Sequence, residues 1–322
     1  MIKRIVLIVI VIAMLMITAC AKVDKTDEKT TINVATLKGP TGMGMINLIE
    51  NADKGTTKNK YNFTLAGSPD EITGKIVSGE IDIAALPINL AANLYNKTNG
   101  KIQLAALNTL GVLYVLENGE EINSVSDLEG KKIFATGQGA TPEYVLDYIL
   151  KKNNVNVEVE YKSEHSELAT LAVSGNADIV MLPEPFVTTV LSKDAGFRIA
   201  LDLTKEFENV SDGTILSMGC IVVNIEFAKE NKEAVKAFLE EYKASAEFVN
   251  NNVSEAAELI SKHGIVPSKE LAEKAIPNCN IVFIEGSEME QKIKGFYELL
   301  NEYNANSIGG KLPGEDFYYK GE

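Results

Sequence analysis

Val77-Ser78-Gly79-Glu80-Ile81-Asp82-Ile83-Ala84-Ala85-Leu86-Pro87 returns 96 residues later as Val173-Ser174-Gly175-Asn176-Ala177-Asp178-Ile179-Val180-Met181-Leu182-Pro183, identical at seven of eleven positions. Solenoid repeats recur at about 20–50 residues, so this longer period points to two related lobes. Each copy reads as the same local structure. An amphipathic helix (70–77, 167–173) stops at Gly79 or Gly175, where a left-handed cap costs a glycine little. A buried strand follows (81–86, 177–182), and a proline is expected to open the next helix at its first position. Asp82 and Asp178 are read as braces for the turn at the strand's start.

Working outward, strand and helix alternate on both sides of each copy. The first lobe reads as strand 32–37, helix from Thr41, strand 61–66, helix from Pro69, strand 81–86, helix 87–95 and strand 102–108. The second reads as strand 132–136, helix from Thr141, strand 157–162, helix from Ser166, strand 177–182, helix 184–192 and strand 198–203. Such alternation predicts an α/β protein with mostly parallel sheets covered by helices on both faces. Segment 110–116 is expected to cross to the second lobe, and 214–223 to cross back. The later helices, near 230–250, 253–263, 268–274 and 288–303, are expected to pack mainly on the first lobe. The expected domains are therefore 32–109 plus 214–322 for lobe 1, and 110–213 for lobe 2.

The N-terminus carries Lys3 and Arg4, an unbroken apolar run from Ile5 to Ile17, and then Thr18-Ala19-Cys20. A membrane-spanning helix needs about 20 apolar residues, so the run fits the core of a secretory signal better. The small residues before Cys20 resemble the bacterial lipobox. That resemblance implies a signal peptide over 1–19, lipidation at Cys20 and a cell-membrane location on the extracytoplasmic face. An ordinary secretory signal with an incidental cysteine is the alternative. Residues 20–31 are polar and aperiodic and read as a flexible tether. The whole chain carries a formal charge of −14, and losing Lys3 and Arg4 makes the mature chain more acidic still. An acidic surface repels nucleic acid and anionic headgroups, so no nucleic-acid partner is expected. Membrane attachment falls to the lipid. After Cys20 only Cys220 and Cys279 remain, with no spacing suited to zinc. No metal or cofactor is expected, and two buried thiols are favoured over one disulfide.

In open α/β sheets ligands bind beyond the carboxyl ends of the strands, which selects four segments. Lys38-Gly39-Pro40-Thr41-Gly42-Met43 and Thr136-Gly137-Gln138-Gly139-Ala140-Thr141 each set a threonine beside glycines at a predicted helix start. There the backbone approaches a ligand closely and offers free N–H groups. Thr41, Gly42 and Met43 on one side, and Thr136, Gly137, Gln138, Gly139, Ala140 and Thr141 on the other, are read as facing halves of a polar clamp. Neither segment matches a dinucleotide or P-loop pattern. Ser68 and Ser166 read as helix N-caps, and Ser68 is added to the ligand set. His165 sits at the cleft end of a strand, as a ligand contact or as a solvated loop residue. Asn89 offers an amide to a ligand. Glu184 is a ligand acceptor or lobe-closing residue, or else a carboxylate favoured by the helix dipole.

Taken together, the lipobox-like leader, the paired Gly79-x-x-Asp82 and Gly175-x-x-Asp178 strands with their prolines, and Glu184-Pro185-Phe186 resemble one family. It is the substrate-binding lipoproteins of nitrate/sulfonate/taurine-type ABC importers, which include thiamine-precursor binders. The resemblance implies a periplasmic-binding-protein type II fold, two doubly wound α/β lobes joined by two crossing segments. It also implies a small polar organic solute held between the lobes, and a permease and ATPase as partners. A monomer that is not an enzyme is expected. Rival readings are an enzyme of the same fold acting on a small aromatic-pathway or pyrimidine metabolite, and a ligand-sensing surface lipoprotein with a protein partner. Arg198 is the only arginine after Arg4, so an oxyanion would depend on helix N-termini, hydroxyls, Lys38 or Arg198.

Overall fold

The structure, a computed structural model, describes residues 29–321. The leader, Cys20 and the tether as far as residue 28 lie outside the described residues. Thr31, expected at the end of the tether, is instead the first residue of a strand.

In the first half of the chain, β1 (Thr31–Leu37) leads to a short helix α1 (Pro40–Gly44) and to α2 (Ile46–Asp53). Then come β2 (Lys60–Ala66), α3 (Asp70–Ser78), β3 (Ile83–Pro87), α4 (Ile88–Lys97) and β4 (Ile102–Leu110). The chain continues through β5 (Leu113–Asn118), β6 (Lys132–Thr136), α5 (Thr141–Asn153), β7 (Glu158–Lys162) and α6 (His165–Val173). It then forms β8 (Ile179–Pro183), α7 (Phe186–Lys193), β9 (Phe197–Asp202) and α8 (Leu203–Val210). The return strand β10 (Ser217–Asn224) is followed by α9 (Ile225–Glu230), α10 (Lys232–Asn251), α11 (Val253–Lys262), α12 (Lys269–Ala275), β11 (Ile281–Glu285) and α13 (Gly286–Asn304).

The strands form two sheets, one of six in the order β11-β4-β10-β3-β1-β2 and one of five in the order β7-β6-β8-β5-β9. The chain passes from the first to the second between β4 and β5, with only Gly111 and Val112 between them, and returns through α8 into β10. Two sheets with two crossings are the architecture expected. The sheets are not mostly parallel, however. β1 pairs in parallel with β2 and β3, and β6 with β7 and β8, whereas β10 runs antiparallel to β3 and β4, β11 to β4, and β5 to β8 and β9. The crossings account for β5 and β10, since each strand that carries the chain into the other sheet enters it against the local strand direction; β11 is an antiparallel edge strand added later. β11 and α8 were not anticipated.

The repeated segments behave alike at their glycines. Gly79 takes φ +81° as the left-handed cap of α3, whereas α6 is capped by Ser174 and Gly175, one residue beyond, takes φ +71°. Asp82 braces its turn as expected, its carboxylate accepting the Asn33 N–H at 2.8 Å. The prolines differ from expectation. Pro87 and Pro183 are the last residues of β3 and β8, and Pro87 caps α4 rather than opening it. Strand pairing explains this, because Pro87 still faces Gly219 of β10 and Pro183 still faces Leu113 of β5.

Residues from Thr31 onward pack as one compact unit. One apolar cluster (Ile32, Val34, Ile46, Phe238, Tyr242, Ile260) fills the space between the six-stranded sheet and helices α2, α10 and α11. A second covers the outer face of the five-stranded sheet under α6 and α7 (Leu116, Leu168, Val180, Val187). The third is continuous across both sheets: Leu107 and Leu86 share it with Val115, Ile133, Leu146 and, from α13, Met289, Ile293 and Phe296. Each such side chain contributes about 1.5–3 kcal/mol through burial. The C-terminal helices therefore do not pack on the first sheet alone. Phe296 meets Phe207 of α8 with ring centroids 5.8 Å apart, and Asn304 donates to the Tyr144 hydroxyl of α5 at 3.0 Å. The two thiols are buried and free, Cys220 in the continuous cluster and Cys279 against Met43. Among the described residues no helix is long and apolar enough to cross a membrane.

Candidate functional site

After β1 the chain turns at Gly39 (φ +103°), and Pro40 opens α1. Gly42 is required for this turn, since a Cβ there would lie 2.5 Å from the Leu37 carbonyl oxygen. Thr41 donates its hydroxyl back to that carbonyl at 3.2 Å. The Met43 N–H is spent on Gly39 O at 2.9 Å and its side chain is fully buried against Cys279. Thus Met43 serves the core, while Thr41 stands at the rim.

On the second sheet, β6 ends at the buried Thr136. Gly137 (φ +82°) then presses on Pro142, where a Cβ would lie 2.6 Å from that ring. Gln138 is exposed, and Gly139 (φ +75°) donates its N–H to the Glu143 carboxylate at 2.6 Å. Ala140, extended, caps α5. Thr141, the first residue of that helix, donates its hydroxyl to Asn89 Oδ1 at 3.2 Å. Asn89 lies two residues beyond β3, in the six-stranded sheet. Next to β3 in that sheet, Gly219 of β10 pairs with Pro87, and a Cβ on Gly219 would lie 2.9 Å from Thr41 Cγ2. A chain of contacts therefore runs Thr41, Gly219, Pro87, Asn89, Thr141, so the two glycine-bordered turns edge the same region between the sheets.

His165 opens α6, with Nδ1 2.7 Å from Thr136 Oγ1 and its ring 5.3 Å from that of Phe186. Burial lowers its pKa, against a weaker opposing pull from Glu164. Glu184 is only 2% exposed. Its carboxylate accepts from the Thr188 N–H at 3.1 Å, the Thr188 hydroxyl at 2.9 Å and Asn278 Nδ2 at 3.4 Å. Burial still dominates and pushes its pKa up to about 7. Asn278 in turn accepts the Tyr114 hydroxyl at 3.2 Å. This fastens the segment before β11 to the five-stranded sheet. Ser68 is not an N-cap: α3 is capped by Pro69, and Glu71 takes the N–H groups of Gly67 and Ser68, both at 3.0 Å. Ser166 likewise lies inside α6, whose cap is Glu164. The Ser68 hydroxyl itself faces the Glu71 carboxylate at 3.5 Å, as a donor, so it does not accept an N–H at the helix start.

Arg198 is committed elsewhere, to Glu117 at 2.8 Å and to the carbonyls of Gly119 and Ile122. Glu50, Asp53 and His263 come close enough to share an ion, but Glu50 already holds His263 at 2.9 Å and Lys262 at 2.7 Å, with Lys54 at 3.3 Å. Two ammonium groups beside the carboxylate oppose a metal, and the cluster reads as an ion-pair tie between α2 and α11. Sequence reasoning passed over Asn278, Gly219 and the polar pair Asn108-Thr109. The last was visible as an abrupt polar end to the apolar strand β4.

A model described as menaquinone biosynthesis matches residues 44–300. The chain belongs to that menaquinone biosynthesis family. Its structure is similar to that of an ABC transporter from Parabacteroides distasonis, 27% identical, covering 91% of this chain and 99% of that one with a TM-score of 0.78. It is also similar to the periplasmic aliphatic sulphonate binding protein SsuA from Escherichia coli, 13% identical, covering 90% and 92% of the two chains with a TM-score of 0.72. This family member therefore has the fold of ABC-importer binding proteins, as the sequence resemblance implied. Chaperonin 60 subunit beta 2, chloroplastic, from Arabidopsis thaliana is 24% identical over 226 residues, 60% of this chain. The chain spans 37% of that relative's length.

Proposed function

We propose that this chain is an extracytoplasmic solute-binding lipoprotein of an ABC importer, anchored through Cys20. It captures a small polar organic molecule between lobes 32–109 plus 214–322 and 110–213, and passes it to a permease driven by an ATPase. The observation that carries the reading is the meeting of Thr141 with Asn89 beside the Thr41 turn. Two glycine-bordered turns from different sheets edge one region, as a clamp requires. Among the described residues the N–H groups of Thr41, Gly42 and Thr141 find no backbone or side-chain acceptor. Helix starts leave such donors available to a ligand. Gly39, Gln138, Gly139 and Ala140 shape the turns, His165 with Thr136 forms a polar wall, and Glu184 ties the crossing. A thermal-shift screen of small metabolites tests the reading: a solute present at a hundredfold excess over its dissociation constant stabilises the folded state by about 2.7 kcal/mol. A screen in which no metabolite moves the melting temperature would count against it. Growth with labelled fatty acid tests the anchor, which predicts label on the wild type and none on Cys20→Ser.

The family's description supports a second reading, an enzyme acting on a small metabolite of menaquinone formation. Its candidate acid–base groups would be Glu184, with a pKa near 7, and His165. Against it, Glu184 is enclosed and directs its oxygens to Thr188 and Asn278 rather than to an open face. Mass-spectrometric analysis of a metabolite extract incubated with the protein separates the two: turnover lost in Glu184→Gln would favour the enzyme.

A further inference from the structure

Asn108 lies near the carboxyl end of β4, and the pairing with β10 skips it. Thr109 pairs with Gly219 and Leu107 with Cys220, so Asn108 is the extra residue of a β-bulge. Bulges re-aim side chains and gather next to binding sites. The Asn108 side chain is fully buried, yet neither Oδ1 nor Nδ2 has a hydrogen-bond partner in the protein. The hydroxyls of Thr109 and of Thr36, at the matching end of β1, are buried and unpartnered as well. The Tyr242 hydroxyl is beside the Asn108 amide, but the two do not meet the geometry of a hydrogen bond. A buried polar group left unpaired opposes folding, and that cost needs a compensating role. Gly219 supplies the approach: a Cβ there would lie 2.6 Å from Asn108 Oδ1 and 2.9 Å from Thr41 Cγ2. The missing side chain joins the amide to the rim of the Thr41 turn.

We propose that Asn108 recognises the solute directly, through a neutral carboxamide or lactam group presenting an N–H and a carbonyl side by side. The proposal rests on the solute-binding reading above and names the chemistry of its ligand. An asparagine side chain offers two donors and an acceptor, which an amide edge satisfies in both senses. A carboxylate or sulfonate would use Nδ2 and set its own charge against Oδ1. The only arginine among the described residues, Arg198, is held by Glu117.

The test uses the mature chain, wild type, Asn108→Leu and Gly219→Ala, with nicotinamide and 2-pyrrolidinone as neutral probes and nicotinate and taurine as charged counterparts. The amide probes are expected to raise the wild-type melting temperature and to bind Asn108→Leu about tenfold or more weakly, the loss of at least one strong hydrogen bond. Gly219→Ala, which displaces the amide while keeping it, is expected to weaken them too. Without probe, Asn108→Leu should melt no lower than wild type, because it removes polar atoms that have no partner in the protein. A markedly lower melting temperature would instead show that Tyr242 or a buried water completes Asn108, and would overturn the proposal. Charged probes that stabilise wild type and Asn108→Leu equally, with amides inert, would overturn it while leaving solute binding intact. Should no amide probe stabilise the wild type, the proposal falls; should a whole metabolite extract also fail, the solute-binding reading falls with it.

Discussion

Replacing Glu184 by glutamine keeps the shape of a buried side chain and removes its charge. Burial raises this carboxyl from an ordinary 4.5 to about 7, despite three hydrogen-bond donors. Each tenfold change in proton affinity is worth about 1.4 kcal/mol, so the span corresponds to about 3 kcal/mol of folding free energy. The sign follows from the folded value lying above the unfolded one. Stability is present in full below about pH 4.5 and is lost as pH rises, until the loss is complete above about pH 7. Urea unfolding of wild type and Glu184→Gln from pH 4 to pH 8 reads this directly. The account predicts that the advantage of the glutamine protein over wild type grows by about 3 kcal/mol across that interval. Parallel pH profiles for the two proteins would refute the reasoning, because they would mean that Glu184 ionises in the folded protein as freely as in the unfolded chain.

Gly42→Ala, whose new methyl would lie 2.5 Å from the Leu37 oxygen, should cost about 1–3 kcal/mol of stability; an unchanged urea midpoint would show that the turn relaxes freely. A double-mutant cycle on Thr141→Ala and Asn89→Ala should return a coupling of about 0.5–1.5 kcal/mol, and a coupling of zero would mean that the contact between the sheets does not form in solution. Glu50 is held down to about 2 by His263 and Lys262, against its burial. Its folded value lies below the unfolded one, so its contribution is present above about pH 4.5 and is lost as pH falls through about 2. Glu50→Gln should flatten that acid limb in a circular-dichroism titration, and an unaltered limb would contradict the ion-pair tie.

Much of the fold could be read from the chain because its signals are local. β6 spans the residues the sequence predicts, since Gly130 and Gly137 bracket a short run with the apolar centre Ile133-Phe134-Ala135. Gly79 and Gly175 sit where positive φ demands them. β11 escaped because five residues between Asn280 and Gly286 become a strand only by pairing with β4, more than 170 positions earlier, through an irregular register. α8 escaped for a milder reason: its cap, Asp202 accepting the Thr204 N–H, is itself the last residue of β9, so the strand hides the helix start. The site divides in the same way. The glycine turns and the Glu184 segment were visible as residue types at strand ends. The burial that sets the pKa of Glu184, the spent N–H of Met43 and the bulge at Asn108 arise from packing between distant segments, which residue order alone does not disclose.

Native mass spectrometry of the protein purified without refolding, compared with the Thr41→Ala/Thr141→Ala double variant, addresses the clamp most directly. The account predicts a small-molecule adduct on the wild type that disappears from the double variant while its folded charge-state distribution is retained. The same adduct at the same occupancy on both proteins would contradict it.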